Sequence, residues 1–110
     1  MALSTKPWGS ISESDYSSPD AFCGACLVDL NEPGAPKAKA KCKLPVSEPG
    51  GALNRNALLA AQGALVGARG GVDAPPSEKK MAARKLMRMM SANDMQPAMS
   101  LKQMAGMMNG

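Results

Sequence analysis

The chain is predicted to be mainly α: a small helical hairpin preceded by a short N-terminal helix, with irregular Pro- and Gly-rich loops and an extended arm at each end. Three observations predict it. Two amphipathic stretches, about 54–68 and 75–90, carry explicit helix-boundary residues. Nine prolines and eleven glycines leave little chain for other packable elements. Only Trp8, Tyr16 and Phe22 are aromatic, so the 45% hydrophobic content leans on alanine and ten methionines, which bury less surface or specify packing less sharply than Leu, Ile and Phe. At 110 residues this makes one domain at most, with a core small enough that a partner is expected to help it hold one shape.

Residues 1–18 are rich in Ser and turn formers around isolated Trp8 and Tyr16, and are predicted to be an extended arm whose aromatics fill a pocket on this domain or on a partner. A small helical domain is predicted over 19–90. Ser18-Pro19-Asp20 supplies a hydroxyl cap, a first-turn proline and an acid at the positive end of the dipole, so a helix is predicted over about 19–27, with Phe22, Cys23, Cys26 and Leu27 on one face. Asn31-Glu32-Pro33-Gly34-Ala35-Pro36 is turn chemistry, and the alternating lysines Lys37, Lys39 and Lys41 make a solvated run. Cys42 to Val46 reads as a short extended segment, which Pro45 restricts to an edge.

The next helix, about 54–68, starts where Asn54 or Asn56 can cap it and is expected to end at Gly70-Gly71; Leu58, Ala61, Leu65 and Ala68 form its apolar stripe, and Gly63 and Gly67 suggest a close helix approach. A third, about 75–90, opens on Pro75 or Pro76 and gathers Ala82, Ala83, Leu86, Met87, Met89 and Met90 on one side and Lys80, Arg84, Lys85 and Arg88 on the other. Residues 91–110 form a Met-rich tail with a short helix near 97–108. Its Met95, Met99, Met104, Met107 and Met108 are flexible thioethers suited to an adaptable apolar groove on a partner.

The charge is laid out in blocks: residues 1–35 carry a net −4, residues 36–43 carry +4, residues 76–90 carry +4, and the rest balances, for +4 in all. Such asymmetry suggests docking on an oppositely charged protein surface, or a weak nonspecific contact with nucleic acid through the basic helix face. No recognised reader motif or aromatic platform accompanies the basic face, so sequence-specific recognition is not expected. No apolar run is long enough to span a bilayer, and no membrane partner is expected.

Cys23-Gly24-Ala25-Cys26 has the spacing of zinc knuckles and dithiol oxidoreductases, with Cys42 as a third sulfur. A structural zinc site wants four ligands, and without histidine the fourth would be Asp29, another carboxylate or a group from a second molecule. A redox pair would want the first thiol at a helix start on a βαβ scaffold, whereas the helix here begins earlier. The favoured reading is therefore three buried small side chains, with no metal and no cofactor. Without histidine, a serine or cysteine nucleophile lacks its commonest base, and Gly67-Ala68-Arg69-Gly70-Gly71 lacks the lysine-hydroxyl ending of a phosphate loop, so no catalytic residues are assigned and no enzyme is expected.

Lys43-Leu44-Pro45-Val46, Gly51-Ala52-Leu53-Asn54-Arg55-Asn56-Ala57-Leu58, Gly67-Ala68-Arg69-Gly70-Gly71-Val72 and Lys80-Met81-Ala82-Ala83-Arg84-Lys85-Leu86 resemble a small domain encoded among tailed-bacteriophage head genes. Ser4-Thr5-Lys6-Pro7-Trp8, Asp15-Tyr16 and Ala25-Cys26-Leu27-Val28-Asp29 look like its opening, so the resemblance covers about residues 4–90. It implies the company of prohead proteases or other capsid-maturation proteins and no catalytic residues in the domain itself. The expectation is a phage minor capsid or capsid-cementing protein that binds the major capsid protein through Trp8, Tyr16 and the tail methionines. It would be assembled in the host cytoplasm and carried in several copies in the virion, with weak contact to packaged DNA as the alternative.

Overall fold

A computed structural model describes residues 3–67, 72 and 74–106 of the chain. Four helices, α1 (Pro19–Gly24), α2 (Arg55–Leu65), α3 (Pro76–Ala92) and α4 (Met99–Met104), surround an antiparallel ribbon of β1 (Cys26–Asp29) and β2 (Cys42–Pro45). Single 3-10 turns at Trp8–Ser10, Glu13–Asp15 and Lys39–Lys41 shape the connections. The fold is thus mixed α/β, and the expected mainly helical hairpin is corrected by the ribbon. Cys26 pairs with Pro45, Val28 with Lys43 and Asp29 with Cys42.

The reason lies in residues 25–29. The capping of α1 is as the residues dictate, with the Ser18 hydroxyl accepting from the Ala21 amide at 3.1 Å and Pro19 in the first turn. The helix then stops at Gly24 and does not continue to residue 27, because Leu27 and Val28, adjacent in sequence, are both buried, at 5% and 2% exposure. Adjacent residues point to opposite faces of a strand, and this strand is covered on both. A helix would have turned one of them out. The Asn31–Pro36 turn returns the chain so that Cys42 meets Cys23 in a disulfide spanning 19 residues, a closure that removes about 3 kcal/mol of unfolded-chain entropy. Cys26 remains a free thiol.

Asn54 is the residue that caps α2: its Oδ1 accepts from the Ala57 amide at 3.0 Å. The helix runs only to Leu65. Gly67, at φ 95°, takes the left-handed step after it, ahead of Gly70 and Gly71, which lie outside the described residues. Gly63 serves no close approach, since a Cβ built on it would meet nothing within 4 Å. In α3, Pro76 occupies the first turn and the apolar side (Ala82, Ala83, Leu86 and Met90) is at most 1% exposed.

The described parts of the arm and tail, from Leu3 and up to Gly106, fold into the same unit. In the arm, the Ser4 amide donates to Leu53 O and the Arg55 amide to Ser4 O, both at 2.9 Å. At the other end, Asn93 closes α3, the Ala98 amide donates to Gln62 Oε1 at 2.8 Å, and α4 buries Leu101 completely. A six-residue helix has no stability of its own in water, so burial and these anchors hold it. The main core joins Leu27, Val28 and Val46 of the ribbon region to Leu58, Leu65, Leu86, Met90 and Leu101 of the helices. A smaller cluster packs Tyr16 edge-on to Phe22, centroids 5.1 Å apart, against the disulfide.

Asn54→Ala removes the cap and leaves the buried Glu48 carboxylate short of a donor, and should cost about 2–3 kcal/mol in urea-melt free energy. Gly63→Ala, at an open helical position, should raise it by about 0.5–1 kcal/mol.

Candidate interaction surfaces

Three places concentrate the chemistry. The first is a cavity of about 590 Å³ onto which all three aromatics open, with Ile11, Leu44 and Val72 as further apolar walls and Glu13, Lys39 and Lys43 at its rim. Trp8 is half-buried and also lines a second, smaller pocket of about 240 Å³ with Leu44-Pro45 and the alanine side of α2 formed by Ala57, Ala60, Ala61 and Ala64. Leu44 itself sits at φ 62°, a conformation a branched side chain adopts only under constraint. Tyr16 is 5% exposed and its hydroxyl donates to Ser47 O, while burial and the nearby Cys26, Glu48 and Asp15 push its phenol pKa up. Of the two arm aromatics, Tyr16 therefore packs within its own domain, while Trp8 faces these pockets.

The second place is a groove of about 460 Å³ between β1 and α3, lined by Arg84, Lys85, Arg88 and Met81 on the helix and by Cys26 and Asp29 on the strand. The basic face divides along its length. Arg84 Nε donates to Ala105 O at 2.9 Å, and the Lys80 stem lies against Gly106, so these two hold the end of α4. Lys85 and Arg88 are exposed, and among the described residues none of Lys80, Arg84, Lys85 and Arg88 forms an ion pair.

The methionines divide similarly. Met95 and Met104 pack half-buried on the main core, whereas Met99 and Met81 are 56% and 61% exposed. Met107 and Met108 lie outside the described residues.

The third place is the disulfide. Cys23, Cys42 and an Asp29 carboxylate oxygen lie within 4.8 Å of one another. Asn31 turns its side-chain NH₂ onto this group, 2.8 Å from Asp29 Oδ1, 3.3 Å from Cys42 Sγ and 3.7 Å from Cys23 Sγ, and its Oδ1 accepts from the Ala38 amide at 2.9 Å. Lys37 Nζ pairs with Asp29 Oδ2. That hydrogen bond, with the Asn31 donors, pulls the Asp29 carboxyl from its ordinary 3.8 to about 2 against partial desolvation. The expected three buried small side chains are corrected here: Cys23 and Cys42 are joined to each other, and Cys26, spaced from Cys23 by two residues in the motif, is a half-buried free thiol. Burial, with Glu13 and Asp29 nearby, pushes the Cys26 thiol up to about 12, so it stays protonated and is a poor nucleophile toward the adjacent disulfide.

Asn31 and Lys37 carry no sequence motif for this role, and reading the 31–36 turn as the device that returns Cys42 to Cys23 would have found them. Because the folded pKa of Asp29 lies below the unfolded one, its stabilisation is whole above the ordinary carboxylate range and is lost as pH falls from about 4 to about 2. Lys37→Met should flatten the thermal midpoint across that window and lower it at neutral pH, as read by circular dichroism melts. No protein family, curated protein or solved structure gives a match to this chain.

Proposed function

We propose that this chain is a non-enzymatic structural protein that docks on a larger assembly through the outer side of α3, and that the partner is a phage major capsid protein, as the sequence resemblance suggests. The observation that carries the reading is the contrast between the two sides of α3. One side is at most 1% exposed, while the other sets Lys85 and Arg88, without an ion pair among the described residues, beside the exposed Met81. Unpaired cations around an apolar contact give steering and register on an acidic surface, and the apolar contact supplies affinity. The absence of histidine and the raised pKa of Cys26 support a binding role over catalysis. On this reading the protein is a minor capsid or cementing component, present in several copies in the virion.

A second reading, nonspecific contact with packaged DNA, draws on Lys85 and Arg88 together with Arg84, which line one groove. It differs in its salt law, because counterion release makes the logarithm of affinity fall linearly with the logarithm of salt concentration. In co-sedimentation with capsids, the doubly charge-reversed Lys85→Glu/Arg88→Glu chain should bind about tenfold or more weakly than the native chain, with an unchanged melting profile. Failure of the native chain to co-sediment at any salt concentration would end the capsid reading, and retention only on DNA with a steep salt slope would favour the second.

A further inference from the structure

We propose that, once the Cys23–Cys42 disulfide is reduced, Cys23, Cys42, Asp29 and the Asn31 side-chain oxygen form a tetrahedral site for one zinc ion.

The fold brings the donors together for reasons independent of any ion. Asp29 and Cys42 are register partners across the ribbon, which holds their side chains side by side. Cys23 arrives from the end of α1, its Cα 5.4 Å from that of Cys42, and Asn31 is fixed by the turn that follows β1. Zinc–sulfur bonds of about 2.3 Å and zinc–oxygen bonds of about 2.0–2.2 Å place tetrahedral ligand atoms roughly 3.3–3.8 Å apart. The Asn31 amide already stands at 3.3 and 3.7 Å from the two sulfurs and 2.8 Å from Asp29 Oδ1, close to where a fourth vertex belongs. A half-turn of that amide, which exchanges two ends of equal size, presents oxygen in place of NH₂ and gives up two hydrogen bonds, the one Oδ1 accepts from the Ala38 amide and the one Nδ2 donates to Ala38 O. Cys23 and Cys42 are each 5% exposed, so the ion would be closed off from solvent as structural zinc is.

The charges agree with the geometry. Two thiolates and one carboxylate around a divalent ion leave a single negative charge, and Lys37 stands against Asp29 Oδ2, the oxygen turned away from Asn31. Reduction by a dithiol breaks the sulfur–sulfur bond, transfers two electrons and two protons to Cys23 and Cys42, and leaves the reductant as its own disulfide. Zinc then displaces both thiol protons to solvent. Disulfide and zinc thus close the same loop in oxidising and reducing surroundings respectively. Cys26 takes no part, since it lies outside the group formed by Cys23, Asp29 and Cys42.

The test uses the full chain, reduced with a dithiol, freed of it by anaerobic gel filtration and mixed with zinc or cobalt(II). One ion per chain should be retained by the reduced protein and none by the oxidised one. Cobalt should show thiolate charge-transfer bands with intense tetrahedral ligand-field absorption. Zinc should protect Cys23 and Cys42, and not Cys26, from alkylation read by peptide mass spectrometry. Cys26→Ser should retain the ion, and Asp29→Ala should weaken it about tenfold or more. No retained ion, equal protection of all three cysteines, loss of binding in Cys26→Ser, or unchanged affinity in Asp29→Ala would each overturn the proposal. The alkylation pattern of the native chain needs no substitution, so it decides even where a variant fails to fold.

Discussion

The structure depends on a buried asparagine. Asn54 is wholly inaccessible, and each polar group it carries has a partner in a different part of the chain. Its Oδ1 caps α2, its Nδ2 donates to Glu48 Oε2 at 2.9 Å and to Lys6 O at 3.1 Å, and its amide donates to Val46 O at 3.0 Å. One side chain therefore ties the arm, the 46–53 loop and the start of a core helix. Asn56 adds a second clasp by donating to Thr5 O and Lys6 O. Glu48 in turn is held ionised below the usual carboxylate range by Ser4, Asn54 and Lys6. A small core gains specificity this way, because a polar network is satisfied in only one arrangement.

The helix starts were legible because they rest on local chemistry, whereas α1 and α2 stop short of the expected 27 and 68. Ser18, Asn54 and Pro76 act where they stand, as cap or first-turn residue, whatever the rest of the chain does. The ribbon was not legible, because Cys26–Asp29 becomes a strand only through pairing with residues about fifteen positions away and through burial on both faces. The same non-locality hid the disulfide: the cysteines read as three buried small side chains, whereas the turn at 31–36 joined Cys23 to Cys42. The basic side of α3 was visible as a helical pattern, but its division was not, since Ala105 and Gly106 come from an element that exists only by packing.

With the arm clasped and Tyr16 buried, the outer side of α3 with Met81 is an exposed face of the described residues that a partner can use, and Leu59 and Met99 are the other large apolar side chains exposed among them. This reorganises the account of how such a chain would bind. A loose arm would order on its partner and lose affinity to the entropy of ordering, whereas a clasped arm makes the docking side rigid beforehand. The clip at Cys23 and Cys42 serves the same end from the opposite flank, fixing the ribbon against which α3 lies.

Native-state hydrogen exchange measures the clasp directly. Amides that open only when the whole domain unfolds share its global exchange free energy. The account predicts that the Ser4, Arg55 and Ala57 amides exchange at that common slow limit, together with the ribbon amide of Leu30, whose hydrogen bond to Lys41 O is 2.9 Å. Fast exchange of Ser4 and Arg55 beside a protected Leu30 would contradict it, returning the arm to a free segment available to a partner.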